Sequence, residues 1–131
     1  MKSYDLLTVT SLLAIMLMTL HLTDDVVRGF EPGGLKNLSG IAILVVWLVA
    51  TLLFAGRRSG YVILLLGSLL AAAMPAIHMS GGGVGGGIAA SPGGYFFIWT
   101  LFALGVIGTF SVILSLRGLW SLRRQNRAGG D

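Results

Sequence analysis

Four long apolar runs constrain the fold of this chain more than any other feature of its sequence. They cover residues 6–22, 38–55, 61–79 and 95–116, and none of them contains Asp, Glu, Lys or Arg. A bilayer core about 30 Å thick is crossed by a helix of roughly 20 apolar residues. Each run is close to that length, so the pattern favours a polytopic membrane protein.

The composition and the segment lengths narrow the architecture. The chain has 131 residues, of which 55% are hydrophobic and 11% are charged, whereas soluble domains carry about 25% charged residues. Backbone groups in lipid must find their partners within a helix or a closed barrel, and the alternating pattern of a barrel is missing. We predict one all-α domain, an antiparallel bundle of four transmembrane helices. The predicted helices cover about 6–28, 38–55, 61–79 and 95–116, followed by a basic tail at 117–131.

The charges between the runs predict an orientation. The connection 23–37 holds Asp24, Asp25 and Glu31 beside only two basic residues, Arg28 and Lys36. The other basic residues lie on the opposite side, at Lys2, Arg57, Arg58, Arg117, Arg123, Arg124 and Arg127. The positive-inside rule then places both termini and 56–60 in the cytoplasm and places 23–37 and 80–94 outside. This pattern suits a bacterial inner (plasma) membrane. We expect the basic tail with Trp120 to lie against anionic lipid, and we expect no nucleic-acid partner.

Candidate ligand residues gather at the outer ends of two predicted helices. Helix 1 runs outward and carries His21, and residues three and four positions later lie beside it on the helix surface. Helix 3 also runs outward and ends with His78, so both histidines are expected at one depth. Met18 and Met74 lie one turn below them. The candidate metal ligands are His21, Asp24, Asp25, His78, Met18 and Met74.

Three interpretations of this cluster stay open. In the first, Asp24 and Asp25 pair with Arg28 or contact the histidines and only fix the end of helix 1. In the second, two imidazoles and a carboxylate bind zinc or iron, or the imidazoles and the two thioethers bind copper. In the third, His21 and His78 are the two axial ligands of a haem.

A separate hypothesis concerns Trp47, near the middle of helix 2. Such a tryptophan usually packs between helices with its N–H bonded to a neighbour. It could also line a site for a lipid, a quinone or a small solute, together with the hydroxyls of helix 1. The glycine-rich connection 80–94, with eight glycines, would lie above that site.

The leading functional hypothesis is a non-catalytic one. The middles of the four runs carry no ionisable residue, which argues against a proton-coupled transporter, and the chain has no cysteine. Small residues on helices 3 and 4, such as Gly67, Gly105 and Gly108, favour close helix contacts within the bundle or with a second copy. We therefore expect an accessory subunit of a larger membrane complex or a homo-oligomer. Its expected partners are membrane lipid and other membrane-protein subunits, and no catalytic residue is predicted.

Overall fold

The chain folds into four α-helices joined by short connections. The computed structural model describes residues 3–31, 33–80 and 83–128. The helices are α1 (Ser3–Arg28), α2 (Leu38–Leu53), α3 (Arg58–Ile77) and α4 (Gly94–Ala128). Two short 3-10 helices (Gly34–Asn37 and Gly86–Ala90) and two antiparallel strands, β1 (Met79–Ser80) and β2 (Gly83–Val84), complete the described part. The predicted all-helical class is confirmed.

Three of the helices are long and apolar enough to cross a bilayer. They are the stretches Tyr4–Arg28, Arg58–Ile77 and Gly94–Arg127. In contrast, α2 has 16 residues and a length of about 24 Å, which is short of a hydrocarbon core of about 30 Å. It ends at Leu53, two residues before the predicted end, and the chain then turns through Gly56 at a φ of 76°. A fourth helix is therefore present, but its length does not establish a fourth span.

Three helices extend beyond their predicted bounds because those bounds started or stopped with the apolar residues; α1 starts at Ser3, three residues before the predicted start. α3 starts at Arg58, three residues before Tyr61, and α4 continues to Ala128 through most of the predicted tail. Arginine, leucine and glutamine are all good helix formers, so a helix continues into them without an apolar face. At 35 residues, α4 is about 52 Å long and projects past any single bilayer core.

Small residues bring α3 and α4 into close contact. A Cβ atom on Gly108 would lie 2.5 Å from the backbone nitrogen of Ala72, and one on Gly105 would lie 2.8 Å from Cγ of Pro75. On the other side of α3, a Cβ on Gly67 would meet the Trp47 ring at 2.5 Å. The predicted small-residue faces are thus used inside the monomer, and they no longer argue for a second copy.

Polar and apolar side chains are distributed as in a membrane bundle. Ser11, Ser68 and Ser111 are fully buried, whereas Leu66 and Val106 on the outside are 63% and 70% exposed. Small and hydroxylated residues inside, with large apolar residues outside, are typical of helices packed in lipid. A membrane location is consistent with this surface.

A closed set of hydrogen bonds joins α1 to α2 in the interior. The indole N–H of Trp47 donates to Ser11 Oγ at 2.8 Å, as its position in helix 2 led us to expect. Thr51 donates to the Trp47 carbonyl at 2.8 Å, which leaves the Ser11 hydroxyl to donate to Thr51 Oγ1 at 2.8 Å. Every side-chain donor of the set is used, so the set can be buried at little cost.

Candidate functional site

Three polar side chains meet at one end of the bundle: His21, Asp25 and His78. Oδ2 of Asp25 lies 3.3 Å from Nε2 of His21 and 3.7 Å from Nε2 of His78. Each residue offers one potential metal-ligand atom, and these atoms all lie within 4.8 Å of one another. We call these three residues the His–Asp–His cluster.

The positions of these residues on the helices explain why they meet. His21 and Asp25 are four residues apart on α1 and therefore share one face of the helix. His78 directly follows the last residue of α3, and its Nδ1 lies 3.1 Å from the Met74 carbonyl oxygen. A carbonyl can only accept, so Nδ1 carries the proton in this bond. In the neutral imidazole, Nε2 then has its lone pair directed towards Asp25, which is the orientation that a metal ligand needs.

The cluster is covered by an aromatic ring and is largely removed from solvent. His21 is 3% exposed and Asp25 is 7% exposed. The two imidazoles make an edge-to-face contact with centroids 4.6 Å apart, and the Phe97 ring lies 5.3 Å and 5.6 Å from them. Nδ1 of His21 is buried without a hydrogen-bond partner among the described residues. Burying Nε2 of His21 and the Asp25 carboxylate costs free energy that a cation bound between them would offset, whereas such a cation would leave Nδ1 of His21 without a partner.

Asp24 does not join the cluster, because it is paired with Arg28. Nε of Arg28 donates to Oδ2 of Asp24 at 2.6 Å. The same guanidinium donates to Ser91 Oγ at 2.9 Å and to the Pro92 carbonyl at 3.3 Å. The last turn of α1 is thereby tied to the segment that precedes α4. The sequence predicted that these two carboxylates would pair with Arg28 or contact the histidines. Asp24 makes the first contact and Asp25 makes the second.

The remaining sequence candidates lie around a cavity of about 270 Å³ beside the cluster. Met18, Met74 and Trp47 line it together with all three cluster residues. The predicted hydroxyls do not line it: Ser11 bonds to α2, and Thr19 donates to the Ile15 carbonyl. The cavity is therefore mostly apolar, and its polar lining consists of the three cluster residues and Glu31. We call it the inner cavity.

A second cavity, of about 570 Å³, lies under the glycine-rich segment. Its lining includes Arg28, His78, Gly85, Ile88 and Ser91. His78 borders both cavities, so it forms part of the wall between them. The glycine-rich segment thus lies over one side of the cluster, although the sequence predicted it above Trp47.

The geometry distinguishes between the two cofactor hypotheses. Metal–ligand bonds of about 2.1 Å in a tetrahedral site separate neighbouring ligand atoms by about 3.4 Å, which is close to the observed 3.3 and 3.7 Å. Two axial histidines of a haem lie on opposite faces of the macrocycle. Imidazoles with centroids 4.6 Å apart leave no space for a macrocycle between them. The arrangement does not fit haem; for a metal ion, two of the three separations match, and all three ligand atoms lie within 4.8 Å of one another.

Two contributors to the site were not predicted from the sequence. Phe97 was not among the candidate residues, yet it is fully buried against both histidines. The Met74 carbonyl was not considered, although the position of Met74 four residues before His78 places it within reach of that ring.

Comparison of the chain with protein-family models, curated proteins and solved structures finds no match.

Proposed function

We propose that this protein is an integral membrane protein that binds one divalent transition-metal ion through His21, Asp25 and His78. The observation that supports this proposal most is the convergence of two imidazole nitrogens and one carboxylate oxygen at ligand distances in a buried place. Ionisable side chains inside an apolar bundle are costly to bury, and for that reason they usually mark function.

The donor set favours zinc, with iron(II) as the nearest alternative. Two imidazoles and one carboxylate are the ligands of many catalytic zinc centres and of non-haem iron(II) centres. Three protein ligands leave a coordination position for water or for an external molecule. The inner cavity adjoins the cluster and supplies space for such a molecule. Met18 and Met74 line the same cavity, so copper(I) is a competing ion that the experiment includes.

The proposed setting is a bilayer crossed by all four helices. α2 would cross a locally thinned part of the bilayer, and Arg57 and Arg58 in the second connection would face the cytoplasm with both termini. The metal centre would then lie near the outer surface. The inner-membrane location and this orientation are part of the proposal, supported by the charge distribution and by the exposed apolar surface.

Metal analysis of the purified protein tests the proposal. We expect the full chain in mild detergent to bind one equivalent of zinc in a competition titration. His78→Ala should lower the affinity for zinc at least about 100-fold. Loss of a residue that only hydrogen-bonds to a metal ligand typically costs less, about 10–100-fold. Lys36→Ala, at an exposed position away from the cluster, is the control. Equal zinc affinities in the wild type and His78→Ala would contradict the proposal, as would stoichiometric copper(I) with no zinc.

The inner cavity supports a second candidate function, binding of a lipid-soluble molecule with a polar head. Ile43 and Ile77 line this cavity and are 49% and 60% exposed, so its rim is apolar and faces outward. An apolar cavity with a few convergent polar groups is typical of a small-molecule site. A short-chain quinone should quench the fluorescence of Trp47 in a Trp99→Phe, Trp120→Phe background. Unchanged fluorescence at saturating quinone would argue against this candidate.

The hypothesis of a homo-oligomer or an accessory subunit stays a prediction. Its main motivation, the small-residue faces, is weakened because α3 and α4 use them against each other. Cross-linking and native mass measurement in mild detergent would test it, and a bare monomer with no partner would contradict it.

A further inference from the structure

The end of the bundle opposite the His–Asp–His cluster carries a concentration of arginines from two elements. Arg57 and Arg58 lie at the start of α3, and the last turns of α4 carry four more arginines. These segments are adjacent, because a Cβ on Gly118 would collide with the Tyr61 ring. The sequence contains no Asp or Glu between Glu31 and Asp131. Among the described residues, Asp5 in the first turn of α1 is the acidic side chain at this end, against six arginines, so the end has a net positive charge.

A groove along α4 combines an apolar part with a cationic part. We call it the arginine groove; it has a volume of about 610 Å³, and its lining includes Ile113, Arg117, Trp120, Arg123, Arg124 and Arg127. These residues recur every three or four positions and so form one stripe on the helix. The stripe is apolar at Ile113 and cationic at its other end. The apolar part would match the acyl tails of a phospholipid, and the cationic part would match its anionic head group.

A second cleft lies beside the groove and shares Arg123 with it. We call it the hairpin cleft; it has a volume of about 340 Å³ and is lined in part by Arg57, Arg58, Arg123 and Asn126. Arg123 thus borders two cationic clefts at once. Among the described residues, neither cleft is lined by an acidic side chain. Two anionic groups on one molecule could therefore bind on either side of Arg123.

We propose that this end of the bundle is a binding site for a phospholipid that carries two phosphates. One phosphate would lie in the arginine groove and the other in the hairpin cleft, with Arg123 between them. Acyl chains would lie against Ile113 and the exposed ring of Trp120. Arginine is suited to this role because its planar fork contacts phosphate oxygens in pairs. Basic pockets between helices on the cytoplasmic side are known to bind such head groups.

When the two lipids are compared at equal total phosphate concentration, the two-phosphate lipid should bind more tightly than the one-phosphate lipid. Once the first phosphate is bound, the second is held at a high effective concentration near its own cleft. Removal of one arginine near a lipid surface costs about fivefold in affinity. Substitution of Arg123 should reduce the preference for the two-phosphate lipid more than substitution of another arginine, because Arg123 would contact both phosphates.

Native mass spectrometry of the full-length protein tests this proposal with three lipids: a diphosphatidylglycerol, a phosphatidylglycerol and a phosphatidylcholine. The wild type should retain the first about tenfold more strongly than the second and should retain little of the third. Arg123→Gln should remove this preference, Arg123→Lys should keep part of it, and Lys36→Gln should leave it unchanged. Circular dichroism of each variant should show wild-type helicity.

Three results would overturn the proposal. The first is equal retention of the two anionic lipids at equal phosphate concentration. The second is an unchanged preference in a folded Arg123→Gln variant. The third comes from the same measurement with a short oligonucleotide added as a competitor: retention of the oligonucleotide with no retained lipid would assign the arginines to a nucleic acid.

Discussion

Nε2 of His78 lies 3.7 Å from Oδ2 of Asp25, and this contact joins the end of α3 to the last turns of α1. The same carboxylate oxygen lies 3.3 Å from Nε2 of His21. Asp25 is therefore the central member of the cluster, with both imidazole nitrogens facing one oxygen atom. A cation placed among these three atoms would have a ligand from each residue.

This central position predicts different consequences for two adjacent carboxylates. Asp25→Asn keeps the shape of the side chain but removes the anionic ligand, so zinc affinity should fall at least about 100-fold. Asp24→Asn is the matched control, because Asp24 contacts Arg28 and not the histidines. It should change zinc affinity by less than about threefold. Isothermal titration of both variants measures the difference, and equal losses would argue against the assignment of Asp25.

The hydrogen bond from Trp47 to Ser11 predicts a stability effect in the interior. Trp47→Phe removes the N–H donor from Ser11 Oγ and should lower the free energy of unfolding by about 1–3 kcal/mol. Trp99→Phe, where the ring is 66% exposed, should change it by less than about 0.5 kcal/mol. Unfolding of both variants in detergent is the measurement. A Trp47→Phe protein as stable as Trp99→Phe would show that this bond contributes little.

The close approach of α3 and α4 at Gly108 predicts that even one methyl group is destabilising there. Gly108→Ala would place Cβ 2.5 Å from the Ala72 nitrogen, and separating the helices to admit it should cost about 1–3 kcal/mol. Gly87→Ala provides the control, since nothing lies within 4 Å of its Cβ position. Thermal unfolding should separate the two variants. Equal midpoints would mean that the helices can move apart freely.

The bonds of Arg28 predict how the glycine-rich segment is held. Arg28→Lys replaces a fork that contacts Asp24, Ser91 and Pro92 with a single ammonium group, which cannot reach all three. Amide hydrogen exchange in 85–94 should then become faster by about tenfold, while exchange in the middle of α3 stays unchanged. Lys36→Arg is the control. Uniformly faster exchange throughout the chain would instead indicate global destabilisation.

The helices and the meeting of the two histidines could be predicted because they depend on local pattern and direction. Apolar runs of bilayer length specify helices, and two helices that run the same way bring His21 and His78 to one end. The helix ends at Ser3, Arg58 and Ala128 were missed, since polar and charged residues stop an apolar run without stopping a helix. The short connection after Leu53 was placed within three residues.

The choice between neighbouring residues could not be made from the sequence. Asp24 and Asp25 both lie next to His21 by helical spacing, and only the packing of α1 against α3 and α4 decides which one faces inward. Phe97 posed the same difficulty, because an aromatic cluster at a helix start fits either a membrane surface or an interior. The partner of Trp47 depends on the order of the helices, which local pattern does not determine.

The metal centre itself is tested most directly by X-ray absorption at the zinc edge on the full-length protein with one equivalent of zinc. We predict a first shell of nitrogen and oxygen at about 2.0–2.1 Å with outer-shell scattering from two imidazoles. In His78→Ala the imidazole contribution should fall to that of one ring. A spectrum of hydrated zinc without imidazole scattering, identical in the wild type and in His78→Ala, would contradict the assignment of His21, Asp25 and His78 as a metal site.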